Sequence, residues 1–259
     1  MTRSRVYGTE AVVLRRSDFG ESDRLVTALS PTLGKFRAIA KGARKTNSRK
    51  SGHVELFTRV QLLVARGSAL DIITQAETIE PHRGLREDLA RGTTAHYITE
   101  LAEQFAQEAT DERPLYELLC GALGALCEAS DMALIARHFE LRLLNIMGYR
   151  PELFRCVRTS EAIELDGATM GQTWGYSPSE GGLLSPAASG FARDALQLNA
   201  LTVLVLRTLQ TQPWSHAREL RVTAYLHGQL ERVLRHHLNH VLERAPNSRK
   251  FMREVLSNQ

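Results

Sequence analysis

The chain has 259 residues, 43% hydrophobic and 24% charged, the composition of a folded globular protein large enough for one or two domains. No apolar run approaches the roughly 20 residues that cross a bilayer. The opening "MTRSRVYGTEAVVLRR" lacks a signal-peptide core, because "AVVL" is only four residues long; the cytoplasm is the expected compartment. The net charge of +4 is modest but uneven, since residues 1–80 hold 14 Lys/Arg against 8 Asp/Glu. Such asymmetry speaks to partners rather than to fold.

The first eighty residues read as strands. "TEAVVLRR" and "DRLVTALS" are short, rich in β-formers and separated by the polar turn "SDFGES". "GKFRAIAKG" follows a turn built from Pro31 and Gly34, "VELFTRVQLLVAR" is β-compatible throughout, and "GSALDIITQAE" starts from a Gly67-Ser68 turn. Five strands in this length, with no crossover helix, predict a small barrel of the oligonucleotide-binding (OB) type.

After "IEPHRG" the period changes to that of helices. "LREDLARGTTAHYITELAEQFAQEA" puts Tyr97, Leu101 and Phe105 on one stripe. "PLYELLCGALGALCEA" opens with Pro114, suited to a first helical turn, and "SDMALIARHFELRLLNIMG" runs from a Ser130 cap to Gly148. Residues 150–190 lose periodicity and are rich in Gly, Ser and Pro. Helical pattern returns in "ALTVLVLRTLQ" and "RVTAYLHGQLERVLRHHLNHVLER", and the chain closes with "NSRKFMREVLSNQ". The three cysteines do not form a disulfide framework. Cys120 and Cys127 are expected in the helical core, where free cysteine commonly sits.

Signatures of catalysis are scarce. There is no Walker-type loop, no G-x-G-x-x-G after a strand and no G-x-S-x-G elbow. His236 and His240 have the i, i+4 spacing of a metal chelate but lack the glutamate of H-E-x-x-H, and Arg232 and Arg235 lie beside them. A solvated face is the favoured reading there.

The densest signal is "GKFRAIAKGARKTNSRK", Gly34 to Lys50, with seven bases and no acid. Alternation turns Phe36, Ala38 and Ala40 to one side of a strand and Lys35, Arg37 and Lys41 to the other. The glycine- and serine-bearing remainder reads as a flexible loop with Arg44, Lys45, Arg49 and Lys50. Arg15 and Arg16 end the first strand and Arg24 opens the second, adding to the field. Phosphate neutralisation by such a surface gives salt-dependent, sequence-tolerant nucleic-acid affinity. Competing readings are a merely solvated basic face and a membrane surface, although the latter usually uses a basic amphipathic helix with an aromatic face. Stacking platforms are few: Tyr7, Phe19, Phe36 and Phe57.

The run "AVVLRRSDFGESDRLVTALSPTLGKFRAIAKGARK" resembles the RecO family of bacterial recombination-mediator and DNA-repair proteins. It carries the G-E-S-D-R-L-V turn and the G-K-x-R-x-x-A-K-G-A-R segment; "TQAE", "HFELRLLNIMGYRPEL" and "NSRKFMREV" extend the likeness. The resemblance implies an α+β protein: a five-stranded OB-fold barrel over 1–80, then a helical domain over 81–259, interrupted at 150–192 by an irregular, zinc-finger-like insertion. It also implies a non-enzymatic protein that binds single- and double-stranded DNA and anneals complementary strands. The implied partners are RecR, the C-terminal tail of single-stranded DNA-binding protein and, less directly, RecF and RecA. Lys35, Arg37, Lys41, Arg44 and Lys45 match the family motif, whereas Arg49 and Lys50 are added on charge alone. Arg137, Arg142 and Arg150 are candidates to receive the acidic partner tail, against a reading in which they are simply solvated. Many family members bind zinc through two C-x-x-C pairs. Here Cys156 stands with Thr159, Ser185 and Ala188 in the other three positions, so no zinc and no other cofactor is expected. A protein adaptor, whose basic surface mainly receives acidic partner tails, remains the alternative function.

Overall fold

The computed structural model describes residues 5–166, 171–190, 192–242 and 246–257. The chain forms two compact units, one of Met1–Ser130 with Pro246–Gln259 and the other of Asp131–Ala245.

The first unit begins with β1 (Val6–Phe19), β2 (Asp23–Ser30), β3 (Gly34–Ala40), β4 (Arg59–Ala65) and β5 (Asp71–Glu80), closed into a barrel in the order β1-β2-β3-β5-β4. This is the expected five-stranded OB-type barrel. Its interior is filled by small side chains, among them Ala11, Val13, Ala28, Ala38, Val60 and Val64. Five strands enclose a narrow space, in which Leu62 and Ile73 are the largest side chains fully buried. The β1–β2–β3–β4–β5 ladder is antiparallel except at the closing seam, where β3 and β5 run parallel over just two pairs, Ala38↔Asp71 and Ile39↔Ile72. Two boundaries differ from the sequence reading. A bulge between Val13 and Arg15 lets β1 continue to Phe19, and "VELF" is not strand. There, residues Ser51–Val54 form a 3-10 turn, and Phe57 takes a left-handed backbone (φ 67°) with its N–H bonded to the Val13 carbonyl at 2.9 Å.

Three helices follow: the single turn α1 (Gly84–Glu87), α2 (Leu89–Phe105) and α3 (Arg113–Glu128). Asp88 caps α2 by accepting the Arg91 N–H at 2.9 Å, and Pro114 occupies the first turn of α3. The buried stripe of α3 is Leu115, Leu119, Leu123 and Leu126, so Cys120 and Cys127 fall one position off it and are only half-buried rather than core. The barrel is stitched to these helices through Gly34. Its φ of +66° and the 2.2 Å that would separate a Cβ from the Gln107 carbonyl admit no side chain. That approach lets Lys35 N–H reach Gln107 O at 2.8 Å and Ala109 N–H reach Leu33 O at 3.0 Å.

The second unit contains α4 (Met132–Ile146), β6 (Thr173–Ser177), β7 (Gly182–Leu184), α5 (Pro186–Ser189), β8 (Leu196–Asn199), α6 (Ala200–Thr211), α7 (Trp214–Ala217) and α8 (Ala224–Val241). The α4 cap is Asp131, which accepts the Leu134 N–H at 2.9 Å, one residue beyond the expected Ser130. The aperiodic segment is more regular than its sequence suggests. It contributes to an antiparallel sheet of order β7-β6-β8 that buries Trp174 and Tyr176. The last helix, α9 (Ser248–Ser257), returns to the first unit and packs on α2. Glu100 of α2 accepts the Asn247 and Ser248 N–H groups at 2.7 and 2.8 Å. The sequence-expected division at residue 80 follows the change from strand to helix; compactness divides the chain after Ser130 and adds α9 to the barrel side.

Candidate nucleic-acid interface

Ten basic residues were expected on the nucleic-acid surface, and their side chains fall into two groups. Six have partners within the protein. Arg15 pairs with Glu103 at 2.9 Å, and Lys35 Nζ donates to the Glu103 carbonyl at 2.7 Å. Arg16 and Arg24 share one oxygen of Glu55, Arg24 at 2.9 Å. Lys50 Nζ donates to the Ile73 carbonyl at 3.2 Å. Arg44 clasps the tip of the β1–β2 hairpin, donating to the carbonyls of Gly20 and Glu21 at 3.3 and 3.2 Å and lying 3.3 Å from Asp18. The other four, Arg37, Lys41, Lys45 and Arg49, are exposed and form no side-chain hydrogen bond or ion pair among the described residues.

These four lie along one continuous segment, and the local fold explains why. Phe36, Ala38 and Ala40 face the barrel core, so Arg37 and Lys41 must face out. The loop beyond carries regular backbone hydrogen bonds. It is a succession of turns: Ala43 N–H to Ala40 O (3.3 Å), Lys45 N–H to Gly42 O (3.1 Å) and Ser48 N–H to Lys45 O (2.9 Å). Two further bonds hold it against the β1–β2 hairpin. Asp23 accepts the Gly42 N–H at 2.7 Å, where Gly42 is left-handed (φ 67°), and Arg44 N–H reaches Ser22 O at 2.9 Å. The G-E-S-D-R turn therefore positions the start of the loop, and Lys45 and Arg49 project from its turns.

Of the four aromatic candidates, Phe57 is buried and Phe36 and Tyr7 are half-buried against the barrel core; Phe19, at the hairpin tip, is 42% exposed. One cation was overlooked in the sequence. Arg66 follows β4, is exposed, and holds its guanidinium 5.0 Å from the centre of the Tyr7 ring. The signal available was its place immediately before the Gly67-Ser68 turn.

The three arginines proposed for an acidic partner tail separate in the same way. Arg137 is 4% exposed and paired with the buried Glu140 at 2.9 Å, so it cannot present its charge to a partner. Phe139, Glu140 and Leu141 are buried as well, and the helical period that looked alternating carries this base inward. Arg142 donates to the Gln210 carbonyl at 3.0 Å, and Arg150 is exposed.

The four zinc-ligand positions give a clear chemical answer. Cys156 is buried, its sulfur 3.3 Å from the Ser185 N–H and 3.8 Å from the Ser185 hydroxyl. Burial acts to raise its pKa, but hydrogen bonds from the Thr159 hydroxyl and from the N–H groups of Ser185, Thr159 and Arg158 outweigh it and bring the thiol down to about 7. Thr159, Ser185 and Ala188 offer hydroxyls and a methyl where thiolates are needed, so this set does not fit a four-ligand zinc. Among the described residues, no three His, Cys, Asp or Glu side chains are grouped to hold a metal ion. On α8 it is His237, between the two histidines singled out from spacing, that is buried: it lies 2.7 Å from the Tyr176 hydroxyl and 3.1 Å from the Tyr149 carbonyl.

The fold and surface define a mixed α and β protein, an OB-fold barrel bearing a basic strip and followed by a helical region. Comparison with known proteins is specific. The family descriptions "Recombination protein O N terminal" and "Recombination protein O C terminal" match residues 2–82 and 86–250. The chain is 41% identical over 254 residues to the DNA repair protein RecO of Roseiflexus sp. (strain RS-1), covering 98% of this chain and 87% of that one. It is 33% identical over 248 residues to DNA repair protein RecO of Dehalococcoides mccartyi (strain BAV1), covering 96% and 95%. The chain belongs to the RecO family, which places it in DNA repair and recombination. No helix among the described residues is long and apolar enough to cross a membrane.

Proposed function

We propose that this chain is a DNA-binding recombination mediator. It binds single- and double-stranded DNA, anneals complementary strands and, with RecR and in some settings RecF, helps place RecA on DNA coated by single-stranded DNA-binding protein. The observation that carries the reading is the strip Arg37, Lys41, Lys45 and Arg49, four exposed cations with no anionic partner among the described residues, on an OB barrel of a RecO-family chain. An array of unneutralised bases attracts phosphates at long range and releases counterions on contact. Arg15, Arg16, Arg24, Lys35, Arg44 and Lys50 shape and hold this surface, while the four free cations do the contacting. Of the arginines considered for the acidic tail of single-stranded DNA-binding protein, Arg150 is the one we retain. The insertion is read as metal-free, and no cofactor enters the function.

The test is annealing of two complementary labelled oligonucleotides coated with single-stranded DNA-binding protein, comparing wild type with Arg37→Glu/Lys41→Glu. Wild type should accelerate annealing and the double variant should not. Its logarithmic salt dependence for single strands should also be shallower by about 1.4, at roughly 0.7 per lost phosphate contact. Equal acceleration by both proteins would remove the strip from the working surface. No acceleration by either would favour an adaptor that uses the basic face for acidic protein tails.

A further inference from the structure

We infer that the barrel also holds a pocket for one unpaired nucleobase, at the opening of its β3–β5 seam. This rests on the DNA-binding reading and deepens it. Because β5 begins only at Asp71, opposite Ala38, no strand of the seam lies beside Phe36 and Arg37. A cleft of about 300 Å³ occupies the gap, lined by Tyr7, Phe36, Arg37, Arg66, Ala69 and Asp71, with Glu108 also at its wall.

The lining has the chemistry of a base site. Tyr7 and Phe36 rest on the barrel core and give one side of the cleft an aromatic, apolar character. The Tyr7 ring is fixed from behind: its hydroxyl donates to Asp71 Oδ2 at 2.7 Å, and the other Asp71 oxygen accepts the Gly67 N–H at 3.2 Å. Burial and that carboxylate hold the Tyr7 phenol neutral well above its ordinary range, so the donor persists. Arg66 lies over this ring with no carboxylate partner among the described residues and adds a second planar group suited to stacking. Arg37, the first of the free cations, lines the same cleft. A strand whose phosphates follow Arg37 and Lys41 therefore passes the mouth of a small aromatic cleft. Its volume is at the lower end for a ligand site and suits one heterocycle rather than a peptide segment. Bases in a duplex are stacked and paired and cannot enter, so the cleft distinguishes single strands where the strip alone cannot.

The experiment compares binding of three labelled probes of equal phosphate number at one salt concentration: an oligothymidylate, a matching strand carrying abasic sites, and a hairpin duplex. Wild type should prefer the base-bearing strand over the abasic strand by about tenfold, the scale of stacking one base. Ala69→Trp, which plugs the cleft without touching charge, should erase that preference while leaving abasic and duplex affinities unchanged; Arg66→Ala should reduce it. Equal wild-type affinity for base-bearing and abasic strands would overturn the pocket, as would a preference that survives both variants. If Ala69→Trp also loses duplex binding through misfolding, the wild-type probe comparison and Arg66→Ala still decide. The two readings fail differently: Arg37→Glu/Lys41→Glu that leaves abasic and duplex binding intact defeats the phosphate strip, whatever the cleft does.

Discussion

Two regions of this protein combine basic side chains with chain that lacks sequence periodicity, and they treat positive charge in opposite ways. In the barrel, β3 and the turns after it present Arg37, Lys41, Lys45 and Arg49 to solvent without a side-chain partner among the described residues. In the second unit, the arginines around the 150–192 insertion act as fasteners. Arg207 donates to the carbonyls of Leu153 and Ile163, both at 2.7 Å, and covers the Phe154 ring at 4.8 Å. Arg158 grips Glu180 with two nitrogens, and Arg142 holds the Gln210 carbonyl. An arginine that satisfies backbone carbonyls keeps its charge but commits its donors to the fold. One left unpaired keeps its donors free. The two uses are indistinguishable by residue type, and partners in three dimensions separate them.

The largest expected effect that sharpens this contrast is at Arg137. Removing a cation from beside a fully buried carboxylate destabilises by roughly 3–5 kcal/mol, and Glu140 is buried. Arg137→Ala should therefore lower the urea midpoint strongly, whereas Arg150→Ala, at an exposed site, should leave it within about 0.5 kcal/mol while weakening capture of an acidic peptide. Equal, small effects from both substitutions would break the division into fastening and contacting arginines.

How much of this was legible in the sequence depended on whether the deciding signal was local. The β3 face was readable because a period of two residues turns Phe36, Ala38 and Ala40 inward and thereby Arg37 and Lys41 outward. The barrel itself was readable from strand count and turn chemistry. By contrast, the partners of Arg15, Arg16, Arg24 and Lys35 are Glu103 and Glu55, far along the chain, and no pattern within the strands announces them. The anchor of the turns after β3 was not legible because Asp23 belongs to a different hairpin. Cys120 and Cys127 were misplaced by a single step of helical phase. His237 went unnoticed because its partner Tyr176 lies in the stretch with no periodicity at all.

That histidine gives an intermediate effect. The Tyr149 carbonyl can only accept, so His237 Nε2 carries the proton and donates, leaving Nδ1 to accept from the Tyr176 hydroxyl. Tyr176→Phe removes this donor and leaves a buried acceptor unpaired, costing about 1–3 kcal/mol by urea unfolding. The same arrangement sets a pH dependence. Burial is the main influence that depresses the pKa of His237, and burial likewise depresses that of His138. Below about pH 6.5 the unfolded chain takes up protons that the native imidazoles refuse. Stability is then flat above this value and falls as pH drops towards the depressed native pKa, by at most about 1.4 kcal/mol per pH unit for each histidine. A urea midpoint that does not fall between pH 7.5 and 5.5 would contradict the neutral, buried assignment.

The smallest expected effect is none at all, and it bears on what holds the insertion. In a zinc-bound fold, metal affinity is folding free energy, and chelation denatures. Here the ligand positions are occupied by one thiol, two hydroxyl side chains and an alanine. Ser185 satisfies the Cys156 sulfur, and Trp174 and Tyr176 are buried in the adjoining sheet. Packing, the Arg158–Glu180 pair and the Arg207 bonds to Leu153 and Ile163 cross-link this segment. The purified protein should accordingly carry no stoichiometric zinc by elemental analysis. Excess EDTA should leave its melting temperature and DNA affinity unchanged, and Cys156→Ser should cost stability without conferring sensitivity to chelator. Zinc at one equivalent per chain, together with a melting temperature lowered by EDTA, would mean that the insertion recruits ligands other than these four and that its arginine fasteners are secondary.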